Sequence, residues 1–267
     1  MVKDIAELIK TMRIRSATRI AVAALWHLYQ HAEKKGFGAS FDREAKRMED
    51  LRPTAVVLHN ALEFVRNKRT LDSILYTIDT IDSAKHRIGV MGAKLFKRRA
   101  VVMTHCESTE AESMLIHSKK KIARVYATET RPIYQGVSTA KRLAKEGIDT
   151  VLIVDGACGI FMPEVDAVVV GADALRKEGM VNKIGTMPML AAAKAFGKPV
   201  YVAANSLKVD RRKKFSIEYR SPKEVIEKAP AGVDVLNPVF DITPWKLIDK
   251  IITERRIYTS YELAGIL

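Results

Sequence analysis

The sequence predicts an α/β protein: a helical N-terminal domain, residues 1–98, followed by a Rossmann-like domain with a parallel sheet, residues 99–267. Two patterns predict this organisation. The first hundred residues show the apolar spacing of helices and no strand-like run. After Arg99, short runs of β-branched residues alternate with helical stretches, which indicates βαβ units and a sheet that is buried on both faces.

The individual elements follow from apolar periodicity and from the residues that interrupt it. In the first domain Gly36 and Gly38 end the longest early helix, and Pro53 separates two later ones. We expect helices there over residues 5–10, 17–35, 45–51, 55–68 and 71–98. In the second domain we expect strands over residues 100–103, 124–127, 150–154, 167–170 and 199–203, with helices over 110–117, 139–146 and 188–196.

Composition excludes several classes of protein. A chain of 267 residues buries enough apolar surface to fold without disulfides or a structural metal ion, and 48% hydrophobic with 28% charged residues is typical of a globular protein. No apolar run approaches the ~18 residues of a membrane span, so we expect no membrane partner. Because the N terminus is too polar for a signal peptide and the cysteines number two, we expect a cytoplasmic protein.

The net charge of +14, from 45 basic and 31 acidic residues, is consistent with three kinds of binding partner: nucleic acid, an acidic protein or an anionic small molecule. Nucleic acid is poorly supported, because the lysine-rich runs at 119–121 and 211–214 are not interleaved with aromatic residues. The chain also lacks a P-loop, a dinucleotide fingerprint, a serine nucleophile elbow and zinc-ligand spacing, so the sequence predicts no cofactor and no metal site.

Polar side chains follow the predicted strands, at the sheet edge where α/β proteins bind ligands. Cys106 follows the first strand and precedes a helix expected to begin near Ser108. A helix N-terminus would lower the thiol pKa from about 8.5 and make it a base or nucleophile; the alternative is a buried structural cysteine. Asp173 follows the fourth strand, where desolvation would raise its pKa for general-acid work; the alternative is a turn aspartate.

Further residues could bind an anionic or sugar ligand. Ser108 and Thr109 could cap the helix, offer hydroxyls to a phosphate, or do both. Asn182 and Lys183 could bind sugar hydroxyls or anchor Asp173, or they could simply open a helix. Cations are candidate phosphate ligands or solvated surface residues; these candidates include Arg15, Arg52 and Lys208.

An ordered set of motifs covers almost the whole chain. It comprises Arg15-Ser16-Ala17, Arg52-Pro53-Thr54-Ala55-Val56, Thr104-His105-Cys106, Glu129-Thr130-Arg131-Pro132 with Gln135-Gly136, Val170-Gly171-Ala172-Asp173, Asn182-Lys183-Ile184-Gly185-Thr186, Tyr201-Val202-Ala203-Ala204, and Asn237-Pro238 with Phe240-Asp241 and Thr243-Pro244. In this set the chain resembles archaeal ribose-1,5-bisphosphate isomerase and methylthioribose-1-phosphate isomerase. That family is related to the alpha, beta and delta regulatory subunits of the eukaryotic translation initiation factor 2B complex.

The resemblance implies a sugar-phosphate isomerase with Cys106 and Asp173 as the catalytic pair. A lysine at the position of Lys208 favours ribose 1,5-bisphosphate over methylthioribose 1-phosphate; a third alternative is a non-catalytic regulatory subunit that binds a sugar phosphate or nucleotide. The resemblance also implies a homo-oligomer, a dimer or a trimer of dimers, and allows a nucleotide activator. The implied substrate-binding residues are Arg15, Ser16, Ala17, Thr18, Arg52, Ser108, Thr109, Gln135, Asn182, Lys183 and Lys208.

One departure from the family pattern lies beside the catalytic pair. The chain has Glu107 where the family commonly has asparagine. An anionic side chain next to Cys106 would oppose formation of the thiolate and would repel a phosphate.

Overall fold

The computed structural model describes residues 17–213 and 215–267. The helix predicted at 5–10, and Arg15 and Ser16, lie outside these residues. Contacts within the chain define two compact units, of which the first ends at Ala84 and the second runs from Lys85 to Leu267. This division falls inside a long helix, whereas the sequence places the boundary between residues 98 and 99.

The first unit is helical in its described part. Its helices are α1 (Ala17–Lys35), α2 (Ala39–Leu51), α3 (Val56–Lys68) and the first part of α4 (Leu71–Gly92). Helix α1 packs against α2 and α3. Helix α2 begins six residues before its predicted start, because Phe41, Ala45 and Met48 form a single buried face at the i, i+4, i+7 spacing.

The second unit contains a seven-stranded sheet. Its strands are β1 (Ala100–His105), β2 (Ile122–Thr128), β3 (Thr150–Ile153), β4 (Ala167–Val170), β7 (Val200–Ala203), β9 (Lys250–Ile252) and β10 (Ile257–Thr259). Their order is β10-β9-β7-β4-β1-β2-β3, and every neighbouring pair is parallel except β10 with β9. All five predicted strands are present. The last two were not predicted, because a three-residue strand shows no clear period.

A three-stranded antiparallel sheet in the order β5-β6-β8 was also not predicted. It consists of β5 (Ala174–Arg176), β6 (Gly179–Lys183) and β8 (Phe240–Thr243). Pairing of Asn182 with Asp241 and of Lys183 with Phe240 joins segments almost sixty residues apart. Of the alternatives for Asn182 and Lys183, the helix start is therefore excluded, since both residues end a buried strand.

The helices of the second unit are the end of α4, α5 (Thr109–His117), α6 (Gln135–Lys145), α7 (Cys158–Phe161), α8 (Thr186–Ala195) and α9 (Ser260–Ala264). Alternate strand residues fall into two separate apolar clusters: Met103 and Val168 belong to one, Val102 and Val169 to the other. Because successive side chains of a strand point to opposite faces, the parallel sheet is buried on both faces, as the sequence predicts. No helix within residues 17–213 and 215–267 is long and apolar enough to cross a membrane.

Candidate active site

Cys106 is the first residue after β1, and its backbone has the left-handed conformation with φ of 68°. Two threonine hydroxyls hold this conformation. The amide of Cys106 donates to Thr130 Oγ1 at 2.9 Å, and its carbonyl accepts from Thr139 Oγ1 at 3.0 Å. A non-glycine residue fixed in this region by its surroundings is typical of functional sites.

Burial raises the pKa of the Cys106 thiol to about 12. The Lys183 ammonium lowers this pKa and the Asp173 carboxylate raises it, so both charged groups act on the thiol. The amide of Glu107 donates to the sulfur and lowers the pKa, while its carboxylate raises it, as the sequence predicts. Of the two alternatives for Cys106, the direction of this shift agrees with the buried cysteine, because desolvation of the thiolate outweighs the donors around it.

Asp173 follows β4 on a short Gly171-Ala172 step, and its amide donates to Val181 O at 2.8 Å. Gly171 packs directly against Ser108: a Cβ at residue 171 would lie 2.2 Å from Ser108 Oγ. A glycine is therefore required for the loops after β1 and β4 to approach each other. This approach brings the Asp173 segment against the segment that carries Cys106.

Lys183 is the last residue of β6 and is 7% exposed. Its Nζ lies 5.2 Å from the centroid of the Phe240 ring. Within the described ranges, no carboxylate forms an ion pair with this ammonium. Asn182 Nδ2 donates to Thr186 Oγ1 at 3.0 Å, and that hydroxyl donates to the Lys183 carbonyl at 2.5 Å.

The turn after Lys183 is held by two residues to which the sequence assigned no role. His105 Nε2 lies 2.9 Å from Ile184 O, and its Nδ1 lies 2.6 Å from Thr128 Oγ1. Since a carbonyl only accepts, Nε2 carries the hydrogen and Nδ1 accepts from the threonine. Burial lowers the pKa of His105, which favours this neutral ring.

Asp241 on β8 holds the same turn from the other side. Its Oδ2 accepts from the amides of Gly185 at 2.8 Å and Met187 at 3.0 Å. Burial raises the pKa of this carboxyl to about 6. The sequence signals available for both residues were their places in the Thr-His-Cys and Phe-Asp motifs.

Three predicted substrate ligands converge instead on a buried carboxylate, that of Glu110. Lys208 Nζ lies 3.1 Å from Glu110 Oε1, and the two side chains are 4% and 2% exposed. Thr109 Oγ1 donates to Oε2 at 3.0 Å and Ser108 Oγ at 3.4 Å. Asn205 Nδ2 donates to Oε1 at 2.9 Å. The alternative of a solvated surface residue is excluded for Lys208, because its ammonium is buried against this carboxylate.

Ser108 also has the predicted capping role, since its Oγ accepts from the amide of Ala111 at the start of α5. Gln135, the first residue of α6, is buried, and its Oε1 has no hydrogen-bond partner among the described residues. An amide oxygen left unpaired in this way is available to a ligand hydroxyl.

The remaining predicted ligands belong to the N-terminal unit. Ala17 is the first residue of α1, and Thr18 is buried in the same helix. Arg52 follows α2, where its amide donates to Glu49 O at 3.2 Å. Arg15 and Ser16 lie outside the described residues. The roles of these five residues stay predictions.

Cys106 and the Asp173 segment follow neighbouring strands of the parallel sheet, and Lys183 ends the antiparallel strand β6. A thiol, a carboxylate and an ammonium in this arrangement define a small-molecule site of an α/β protein. The model of the Initiation factor 2 subunit family matches residues 13–260. The chain belongs to this family, as its motifs predict.

Known relatives include proteins with sugar-phosphate names and proteins with translation-factor names. The ribose 1,5-bisphosphate isomerase of Archaeoglobus fulgidus is 40% identical over 276 residues, which cover 95% of this chain and 88% of the relative. A crystal structure of Pyrococcus horikoshii OT3 translation initiation factor eIF-2B matches with a TM-score of 0.85 at 27% identity, covering 96% of both chains. The 5-methylthioribose 1-phosphate isomerase of Pyrococcus horikoshii OT3 matches with a TM-score of 0.79 at 28% identity, covering 100% of this chain and 88% of that chain.

Proposed function

We propose that the protein is an aldose–ketose isomerase that converts ribose 1,5-bisphosphate to ribulose 1,5-bisphosphate. The observation that carries the proposal is the close approach of the loops after β1 and β4, which carry Cys106 and Asp173, together with the effect of the Asp173 and Lys183 charges on the Cys106 thiol. The 40% identity to a ribose 1,5-bisphosphate isomerase supports this choice of substrate.

A phosphate on carbon 1 prevents spontaneous ring opening, so the enzyme must open the furanose. Cys106 thiolate takes the proton from carbon 2, and the C–H electrons form a double bond between carbons 1 and 2. The bond from carbon 1 to the ring oxygen breaks, and protonated Asp173 donates its proton to that oxygen. The Cys106 thiol then donates a proton to carbon 1 of the enol phosphate, while the Asp173 carboxylate accepts the proton of the hydroxyl on carbon 2, which becomes the ketone; this step restores the thiolate and the protonated Asp173.

This scheme requires one proton shared between Cys106 and Asp173. The raised pKa of Cys106 keeps that proton on sulfur in the resting site. Transfer of the proton from Sγ to Asp173 produces the reacting thiolate and carboxylic acid. The Lys183 ammonium and the amide of Glu107 stabilise the thiolate, because both lower the thiol pKa.

Lys183 is also the described cation best suited to hold the phosphate on carbon 1. Its buried ammonium forms no ion pair with a carboxylate in the described part of the chain, so its charge is available to an anion. The family resemblance also predicts Arg15 and Arg52 as phosphate ligands. A homo-oligomeric assembly and activation by a nucleotide are further predictions from the family resemblance.

Turnover in deuterated water tests the assignment. We expect deuterium in the ribulose 1,5-bisphosphate product, and a loss of kcat of about 10³-fold or more in Cys106→Ser and Asp173→Asn, the scale of acid–base catalysis. Cys158→Ser is the matched control, because Cys158 is the other free cysteine and has no role in the scheme. Its kcat should stay within about twofold of the unmodified enzyme. Full activity in either catalytic variant would overturn the mechanism.

A second candidate substrate is methylthioribose 1-phosphate, which carries a neutral thioether in place of the second phosphate. The ion pair between Lys208 and Glu110 favours this candidate, because it neutralises the lysine that the bisphosphate would need. A side-by-side assay of the two sugars decides between them. A non-catalytic subunit, the third alternative, would turn over neither sugar.

A further inference from the structure

The surroundings of Glu110 have the composition of an anion-binding site. An ammonium, an amide and two hydroxyls, those of Lys208, Asn205, Thr109 and Ser108, all lie within 3.4 Å of its carboxylate oxygens. Charged and neutral donors of these kinds are the groups with which proteins bind phosphate. We call these five residues the Glu110 cage.

The anion inside the cage is the protein's own carboxylate. Glu110 and Lys208 are almost completely buried, so each needs the other to offset the loss of hydration. The charge of Lys208 and the surrounding donors lower the pKa of Glu110 against the effect of its burial, which keeps it ionised at neutral pH. The pair therefore has no net charge for a second anion.

The cage adjoins the catalytic pair through the chain and through a packing contact. Ser108 lies two residues after Cys106, and it also packs on Gly171, two residues before Asp173. Asn205 Nδ2 donates to Glu110, whereas its buried Oδ1 has no hydrogen-bond partner among the described residues. This oxygen is therefore available to a hydroxyl of a ligand. A substrate held at Cys106 and Asp173 thus has the cage as its neighbour.

We propose that Glu110 is a specificity-determining residue, an internal anion that the second phosphate of a sugar bisphosphate must displace from Lys208. This proposal rests on the proposed isomerase function and refines its substrate preference. Displacement leaves a carboxylate beside a dianion, which weakens binding of the bisphosphate. A substrate with a neutral group at the same position leaves the Glu110 cage intact.

Steady-state kinetics of Glu110→Gln test the proposal. Glutamine keeps the shape of the side chain and leaves Lys208 without a carboxylate, so KM for ribose 1,5-bisphosphate should fall about tenfold or more. The kcat should change less than about twofold, because Glu110 does not touch the reacting atoms. With methylthioribose 1-phosphate, KM and kcat should both stay within about twofold of the unmodified enzyme. If Glu110 had a merely structural role, its replacement would change the kinetics of both sugars alike.

Thermal unfolding with inorganic phosphate separates this proposal from the isomerase assignment. Phosphate should raise the unfolding temperature of Glu110→Gln more than that of the unmodified protein, and Lys208→Met added to Glu110→Gln should abolish the difference. That result would support the cage even if neither sugar were turned over, in which case the proposed function alone would fail. An unchanged or higher KM for the bisphosphate in Glu110→Gln would overturn the proposal. So would a phosphate response equal to that of the unmodified protein.

Discussion

Two buried lysines at strand ends of the second unit differ in how their charge is compensated. Lys208, after β7, has Glu110 at 3.1 Å and lies in a cage that is neutral overall. Lys183, at the end of β6, faces the Phe240 ring and forms no ion pair with a carboxylate of the described residues. The charge of Lys183 instead lowers the pKa of the Cys106 thiol.

This difference separates a buried charge that the protein itself compensates from one that is left for a ligand or a reacting group. A buried ammonium is costly unless something offsets the lost hydration, so an uncompensated one is expected where a ligand or a reacting group supplies the anion. Lys208 is compensated within the protein. Lys183 has the thiolate of Cys106 and a substrate phosphate as its prospective partners.

The largest effect is expected from Lys183→Met, which removes a charge that no carboxylate of the described residues compensates and keeps most of the side-chain volume. The thiolate and the first phosphate lose a common cation, so kcat/KM should fall about 10³-fold, or about 4 kcal/mol of transition-state stabilisation. No carboxylate of the described residues is left unpaired, so the free energy of unfolding should change by no more than about 1 kcal/mol. Urea unfolding and turnover of the same preparation measure both. A stability loss as large as the activity loss would contradict this separation.

Lys208→Met should lower the free energy of unfolding more than Lys183→Met does. It leaves the buried Glu110 carboxylate without its ammonium, and breaking one partner of a buried pair costs about 3 kcal/mol of the free energy of unfolding. Glu110→Gln combined with Lys208→Met removes both charges and should recover most of that loss. Urea unfolding of the two single variants and the double variant gives the coupling energy. Additive single effects would show that the two charges do not stabilise each other.

The sequence predicted the parallel sheet and the position of Cys106 and Asp173 at strand ends, because β-branched runs and the residues after them are local signals. It did not predict the environment of the lysines. Lys183 owes its position to the pairing of β6 with β8, which joins residues almost sixty positions apart and leaves no local period. Lys208 and Glu110 are 98 residues apart in the chain, and no local pattern indicates that they meet.

Contacts between distant parts of the chain also decide between the two alternatives that the sequence left open for the Cys106 thiol. The sequence predicts that Cys106 lies between a strand and a helix, and a helix N-terminus alone would lower the thiol pKa. The depth of burial depends on the packing of distant segments, among them Thr130 and Thr139, which hold the Cys106 backbone. Desolvation, a property of the whole fold, sets the direction of the pKa shift.

The smallest predicted effect concerns the pH dependence of stability. It distinguishes Asp241, which holds the turn after Lys183, from Glu110, which pairs with Lys208. Asp241 holds the turn after Lys183, and its pKa is raised from 3.8 to about 6. A raised carboxyl pKa means that the folded state binds the proton more tightly, so its contribution to stability is full below pH 3.8 and is lost as pH rises through about 6. Glu110 has a lowered pKa, so its contribution is present above its ordinary value of 4.5 and is lost as pH falls.

Urea unfolding at pH 4 and pH 7 measures these opposite signs. The stability of the unmodified protein relative to Asp241→Asn should decrease by about 2 kcal/mol between pH 4 and pH 7, because the variant cannot bind the proton. Relative to Glu110→Gln, the matched control, the stability of the unmodified protein should increase over the same interval. Asparagine can still accept from the amides of Gly185 and Met187, so the turn keeps its acceptor at both pH values. If both stability differences decreased between pH 4 and pH 7, the distinction would be contradicted. Burial would then govern the pKa of both carboxyl groups, and the Lys208 charge would not stabilise ionised Glu110.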